Sequence, residues 1–205
     1  MGCSQEEKWE KNKEINKEEQ KIILALWDSV TAGYNLDISQ SYPSLLQNIL
    51  QENKYQYEVI NAWVSGDTSK NLLDRIGLYS DVNVEIYFLT IGGNDGLRRQ
   101  NTKNMKKNIQ ATIDAILEQN NQAKIVIWGM KLPINYGLKY SKEFQKVYEE
   151  LATENKLEFF PHFLKDVQQK PNLNLSDGIH PNMEWYKIIA QNIYEFLEVN
   201  NIISK

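Results

Sequence analysis

One cysteine, Cys3, and two histidines, His162 and His180, are all that 205 residues offer of the usual soft metal ligands. A single thiol excludes an internal disulfide and a cysteine-rich zinc site, and two imidazoles exclude a histidine-rich metal centre. A metal-free chemistry is therefore expected. No apolar run approaches the roughly 18 residues that span a bilayer, and the first residues lack the basic-then-apolar order of a signal peptide. Charge of one sign is missing too: 23 Lys and Arg are interspersed with 27 Asp and Glu, for a net charge of −4. Such a balance leaves no basic footprint for DNA or RNA, so no nucleic-acid partner is expected. The glycine-x-serine-x-glycine elbow, the phosphate-binding loop and the dinucleotide fingerprint are likewise absent.

What is present suits one domain of ordinary size, since 41% of the residues are hydrophobic. Residues 1–20 hold six Glu and four Lys and read as a charged tether, disordered or a frayed helix, ahead of a domain over 21–205. Within the tether, Gly2-Cys3-Ser4 resembles the start of a bacterial lipoprotein whose cysteine carries the lipid. That reading places the protein in the periplasm or anchored to a membrane through Cys3. An ordinary start with a stray cysteine implies a cytoplasmic protein instead.

Beyond the tether, short β-branched runs alternate with longer amphipathic stretches. Strands are predicted over Lys21–Leu26, Tyr57–Ala62, Val84–Ile91, Lys124–Met130 and Leu157–Phe160. Helices are predicted over Tyr42–Asn53, Ser69–Leu78, Thr102–Gln119, Ser141–Asn155, Phe163–Gln169 and Asn182–Val199. "VEIYFLTI" and "KIVIWGM" show almost no polar alternation, which suits strands covered on both faces. The order implies an α/β protein, a three-layer α/β/α sandwich around a mostly parallel five-stranded sheet. In such sheets ligands bind beyond the carboxyl ends of the strands.

Polar and glycine-rich residues gather at those ends: Asp28-Ser29, "WVSGDT", "GGNDG" and "KLPINYG". A serine where a strand gives way to a helix presents its hydroxyl at the rim of the sheet, near backbone N–H groups suited to an oxyanion. Ser29 as a plain helix cap is the competing reading. In "SDGIHPN", Asp177 lies three residues before His180, close enough to hold the imidazole in one tautomer while its other nitrogen takes a proton from a serine. An Asp-Gly turn leading into a helix explains the same letters without chemistry. His162, between apolar residues, reads as packing or surface.

The joint order of four blocks decides between these readings. Asp28-Ser29 with Gly33 and Tyr34, "SGDT" at 65–68, "GGND" at 92–95 and "DGIHP" at 177–181 together resemble the SGNH hydrolases, also called GDSL esterases. The likeness runs from about Lys21 to Leu197, and "GGNDGLR", "LPINYG" and "YSKEFQKVY" look most like the bacterial acyl-CoA thioesterase I, lysophospholipase and arylesterase group. The resemblance implies a flavodoxin-like fold and a monomeric serine hydrolase that cleaves acyl esters or thioesters without a cofactor. Ser29 is then the nucleophile, His180 the base and Asp177 its orienting partner, with the oxyanion held by Ser29, Gly66 and Asn94. Leu132, Pro133, Ile134 and Tyr136 are plausible walls for an acyl chain, or a cover for the sheet edge. Two other functions stay open: deacetylation of carbohydrate by the same fold, and a binding protein impaired in turnover.

Three tryptophans depart from the family pattern. Trp27, Trp63 and Trp185 stand where small residues, commonly glycine, are usual, and each adds bulk and excludes a positive φ. One account is a diverged protein that has absorbed them. The other is decoding: UGA is one base from the glycine codon GGA, and some bacterial lineages read it as glycine. The decoding account predicts UGA at codons 27, 63 and 185 of the coding DNA, and UGG there removes it.

Overall fold

The computed structural model describes residues 20–26, 37–132, 134–161, 170–173 and 182–205. Five strands, β1 (Lys21–Leu26), β2 (Tyr57–Asn61), β3 (Val84–Leu89), β4 (Lys124–Trp128) and β5 (Glu158–Phe160), form one sheet in the order β2-β1-β3-β4-β5. Every pairing is parallel. Six helices accompany them among the described residues: α1 (Tyr42–Glu52), α2 (Ser69–Arg75), α3 (Gly93–Leu97), α4 (Thr102–Gln119), α5 (Leu138–Asn155) and α6 (Met183–Val199).

Alternation along each strand explains the two cores. Ile23 and Ala25 of β1, Ile86 and Phe88 of β3, and Val126 and Trp128 of β4 point to the side covered by α1 and α6. Their neighbours Leu24, Leu26, Tyr87, Leu89, Ile125 and Ile127 point to the side covered by α2, α4 and α5. Both faces are buried, so the polar alternation of a one-sided sheet is not needed. Trp128 is fully buried, with the rings of Tyr42, Phe88 and Phe160 at 5.9, 5.5 and 5.2 Å.

The predicted α/β sandwich is therefore the observed one, with differences at element ends. β2, β3 and β4 stop one or two residues early, each after one last N–H, of Ala62, Thr90 or Gly129, has bonded to the neighbouring strand. The second helix ends at Arg75 and tightens into a 3₁₀ turn over Ile76–Tyr79. Helix α5 starts at Leu138, directly after Gly137 at φ +88°, three residues ahead of its predicted start. Leu138 is 78% exposed, so its turn carries no apolar periodicity to read. Helix α3 was not predicted; two of its five residues are glycine. The predicted helix over 163–169 and residues 1–19 of the tether lie outside the described residues. No helix among the described residues is long and apolar enough to cross a membrane.

The amino ends of the strands are closed by a polar belt. Tyr57 donates to Glu85 Oε1 at 2.8 Å, Lys21 and Lys124 approach the same carboxylate at 3.8 and 4.0 Å, and Lys21 Nζ also donates to Ser204 Oγ. The C-terminal residues are thus held beneath the sheet, with Ile202 and Ile203 buried. Burial first, and then the bond to Glu85, push the Tyr57 hydroxyl from 10.0 up to about 12. A raised folded value means its contribution is complete below the ordinary value and is lost as pH rises through about 12. Tyr57→Phe is expected to lower stability by about 1 kcal/mol in urea titrations at neutral pH and to shrink the alkaline loss of stability in that window. The loops at the opposite end of the sheet should be unaffected.

Candidate active site

The chain runs from β1 outward to β2 and then returns to the other side of β1 with β3. This reversal opens a crevice at the carboxyl end of β1. Two backbone bonds mark its walls: Ala62 N–H donates to Ala25 O at 3.0 Å, and Thr90 N–H to Leu26 O at 3.1 Å. The loops that follow β2 and β3 therefore flank the point where β1 ends. Ser29, three residues past Leu26, lies outside the described residues, as do Trp27, Asp177, His180 and Pro133.

The β2 loop is a tight turn. Asp67 N–H donates to Val64 O at 3.2 Å, and Gly66, the third residue of that turn, has φ +80°. This is the type II arrangement, which asks for glycine at that position. The turn bond uses Val64 O and Asp67 N–H and does not consume the Gly66 N–H. Arg75 braces the loop from α2: its Nε is 2.7 Å from Asp67 Oδ2, its Nη2 donates to Ala62 O and its Nη1 to Tyr79 Oη. Thr68 and Asn71 form a reciprocal capping box that sets where α2 begins.

The β3 loop leads into α3 through Gly92 at φ +109°. A Cβ on Gly92 would lie 2.7 Å from Tyr148 Oη, which donates to Ile91 O at 2.9 Å. A turn further along α3, a Cβ on Gly96 would lie 2.6 Å from Leu132 Cδ2 and 2.7 Å from a Phe144 ring carbon. The glycines of "GGNDG" thus let a short helix sit between α5 and the rim segment.

Helix α3 is stitched to the β2 loop. Asn94 Nδ2 donates to Asp67 O at 3.0 Å, and Arg98 Nη2 donates to Gly66 O at 3.2 Å. Asp95, 1% exposed, accepts from Ser69 N–H at 2.8 Å and from Ser69 Oγ at 2.6 Å. Gly66 and Asn94, distant in sequence, are brought to facing loops of one crevice. An amide nitrogen carries two hydrogens, so the bond to Asp67 O also fixes the direction of the second.

The ends of the undescribed segments are drawn together as well. Asn182 N–H donates to Leu173 O at 2.9 Å and its side chain to Asn172 O at 2.8 Å, closing the neck of the segment that carries Asp177 and His180. Gln40, just beyond the segment that carries Ser29, donates to Met183 Sδ at 3.3 Å. The flanks of the two segments are therefore neighbours.

Of the expected acyl-groove residues, Leu132 packs against Gly96, and Tyr136 donates to Leu97 O at 3.3 Å with its ring 4.9 Å from the Arg99 guanidinium. Arg99 also donates to Asn135 O and Tyr136 O, tying the segment of Ile134 to the end of α3. Trp63 is half-buried, and Trp185, 5% exposed, stacks edge-on with Tyr186 in the first turn of α6. Neither has a positive φ, so the backbone strain expected of a displaced glycine does not arise at 63 or 185.

Sequence reasoning missed Asp95, Ser69 and Arg75 as builders of this crevice. Asp95 was visible inside "GGND" beside Asn94, but a burial of 1% and a partner 26 positions away are not local signals.

Known proteins resemble this chain in sequence and in fold. The model of the GDSL-like lipase/acylhydrolase family matches residues 25–188. An arylesterase of Vibrio mimicus is 36% identical over 170 residues, 82% of this chain and 84% of that protein. Thioesterase 1/protease 1/lysophospholipase L1 of Escherichia coli is 33% identical over 169 residues, 82% of this chain and 79% of that protein. The crystal structure of a psychrotrophic esterase, EstA from Pseudoalteromonas, inhibited by monoethylphosphonate, superposes with a TM-score of 0.82 at 27% identity, covering 87% of this chain and 97% of that one.

The glycines differ in what they tolerate. Gly92→Ala, strained in φ and against Tyr148, is expected to destabilise by about 2 kcal/mol or more. Gly77→Ala, with nothing within 4 Å of its Cβ, should stay within about 0.5 kcal/mol in the same urea titration.

Proposed function

The chain belongs to the GDSL-like lipase/acylhydrolase family, and on that basis we propose that it is a serine hydrolase cleaving carboxylic esters and thioesters of acyl substrates through an acyl-enzyme. The observation that carries the reading is the bond from Asn94 Nδ2 to Asp67 O, which ties Asn94 to the turn of Gly66 at the end of β1, three residues short of Ser29. Glycine lets the backbone approach an oxyanion, and a carboxamide donates without a titrating charge.

Ser29 attacks the acyl carbonyl while His180 takes its proton, and Asp177 holds the imidazole and stabilises its charged form. The tetrahedral oxyanion is bound by the N–H groups of Ser29 and Gly66 and by the Asn94 amide. His180 then returns the proton to the departing alcohol or thiol. It next activates a water, which attacks the acyl-enzyme and frees the acid and Ser29. All groups come from the chain, so no metal or cofactor enters the cycle. Leu132 and Tyr136, both held against α3, are assigned to the acyl side of the crevice, and Pro133 and Ile134 are assigned with them from the sequence alone. Arylester, lysophospholipid and acyl-thioester substrates are suggested by the names of the relatives. A lipid on Cys3 would hold the enzyme at a membrane surface.

Ser29→Ala is expected to abolish hydrolysis of a p-nitrophenyl ester and labelling by a fluorophosphonate. Asn94→Ala should lower turnover at least tenfold, toward the ~10²–10³ loss typical of one oxyanion donor. Unlabelled Ser29 in a folded wild-type protein would replace the enzyme with a binding protein, and unchanged turnover in Asn94→Ala would remove Asn94 from the oxyanion site.

A further inference from the structure

Asn94 stands on a helix that has little reason to exist by itself. Helix α3 spans five residues, Gly93–Leu97, and two of them are glycine, the worst helix former after proline. Isolated helices of this length do not persist in water. The position of the Asn94 amide is therefore set by what α3 is fastened to.

Four side-chain hydrogen bonds fasten it to residues 66–69, and they differ in kind. The Arg98 bond to Gly66 O is made by an exposed side chain, where water competes for both partners. The Asn94 bond to Asp67 O belongs to the very amide whose placement is in question. The remaining two join Asp95 to Ser69, and both residues are buried, at 1% and 0% exposure. A carboxylate in such a place is unfavourable unless its oxygens are bonded, and here each has its own donor. Asn108 of α4 completes the arrangement by donating to Ser69 Oγ at 3.1 Å, so the serine rotor is held from a third element.

We infer that the Asp95–Ser69 pair is a positioning device that sets the separation of the two oxyanion donors, Gly66 N–H and Asn94 Nδ2. The inference rests on the oxyanion role proposed for those two residues. Ser69 begins α2, immediately after the turn that carries Gly66. Asp95 follows Asn94 on α3. The pair thus spans the crevice one residue behind Asn94 and three behind Gly66, and joins the two donor-bearing loops where water does not reach. Neither residue touches the reacting atoms. Each acts through its neighbours on the chain.

A double-mutant cycle on the full-length protein tests this, with kcat and KM measured for a short p-nitrophenyl ester and urea titrations run on every variant. Ser69→Ala removes one of the two bonds and leaves the backbone bond, so the variant is expected to fold. In the wild-type background it should lower kcat about tenfold with KM changed less than twofold, since the oxyanion forms only in the transition state. In the Asn94→Ala background the same substitution should cost less than threefold, because the donor it positions is gone. Asp95→Asn, which keeps the shape and one acceptor, should fall between Ser69→Ala and wild type. Wild-type kcat in folded Ser69→Ala overturns the inference, and so does an equal loss in both backgrounds, which would mark a purely structural role. An Asn94→Ala variant with wild-type kcat would overturn the oxyanion reading itself, and this inference with it.

Discussion

Two backbone hydrogen bonds at the end of β1 govern the rest of the molecule. Ala62 N–H to Ala25 O and Thr90 N–H to Leu26 O hold the exits of β2 and β3 on either side of the first strand. A parallel sheet in the order β2-β1-β3-β4-β5 must reverse its direction of growth at β1, and the reversal leaves a gap that no crossover fills. Residues that leave the strands here face one another across that gap. The placement of the loops that carry Gly66 and Asn94 follows from these bonds.

The loops at this end are built unlike the rest of the protein. The sheet is held by buried aliphatic and aromatic side chains on both faces, and its amino ends by the Tyr57, Glu85, Lys21 and Lys124 belt. The carboxyl-end loops are held by specific polar bonds instead: Arg75 to Asp67, Asp95 to Ser69, Asn94 to Asp67, Asn182 to Leu173. Apolar packing is tolerant of small shifts, whereas a hydrogen bond weakens steeply with distance and angle. A site that must match a transition state within a fraction of an ångström is suited to the second kind of support.

The tryptophans divide along the same line. Trp128 belongs to the apolar interior, ringed by three aromatic side chains. Trp185 closes the first turn of α6 over the same core, its N–H capped by Asn182. At these places a large side chain is a packing element. Trp63 is different, since it lies half-buried on the loop that carries Gly66 rather than in the apolar interior.

Much of this was legible in the letters. Short, continuously apolar runs such as "KIILAL" and "VEIYFL", buried on both faces, and long amphipathic stretches such as Thr102–Gln119 carry their structure locally, so the strands and main helices could be placed within a few residues. The four blocks named the family and the chemical groups. Helix α3 could not be read, because its short, glycine-rich sequence carries no helical signal and its support comes from bonds to distant residues. The same holds for the partnership of Asp95 with Ser69, the neck between Leu173 and Asn182, and the crossing of Asn94 to Asp67. The sequence by itself determined the alternation of strands and helices and the kinds of donor available, since periodicity and residue chemistry are local properties. Only the tertiary structure decided which donors face each other, since their separation is set by sheet order and by hydrogen bonds between residues far apart in the chain.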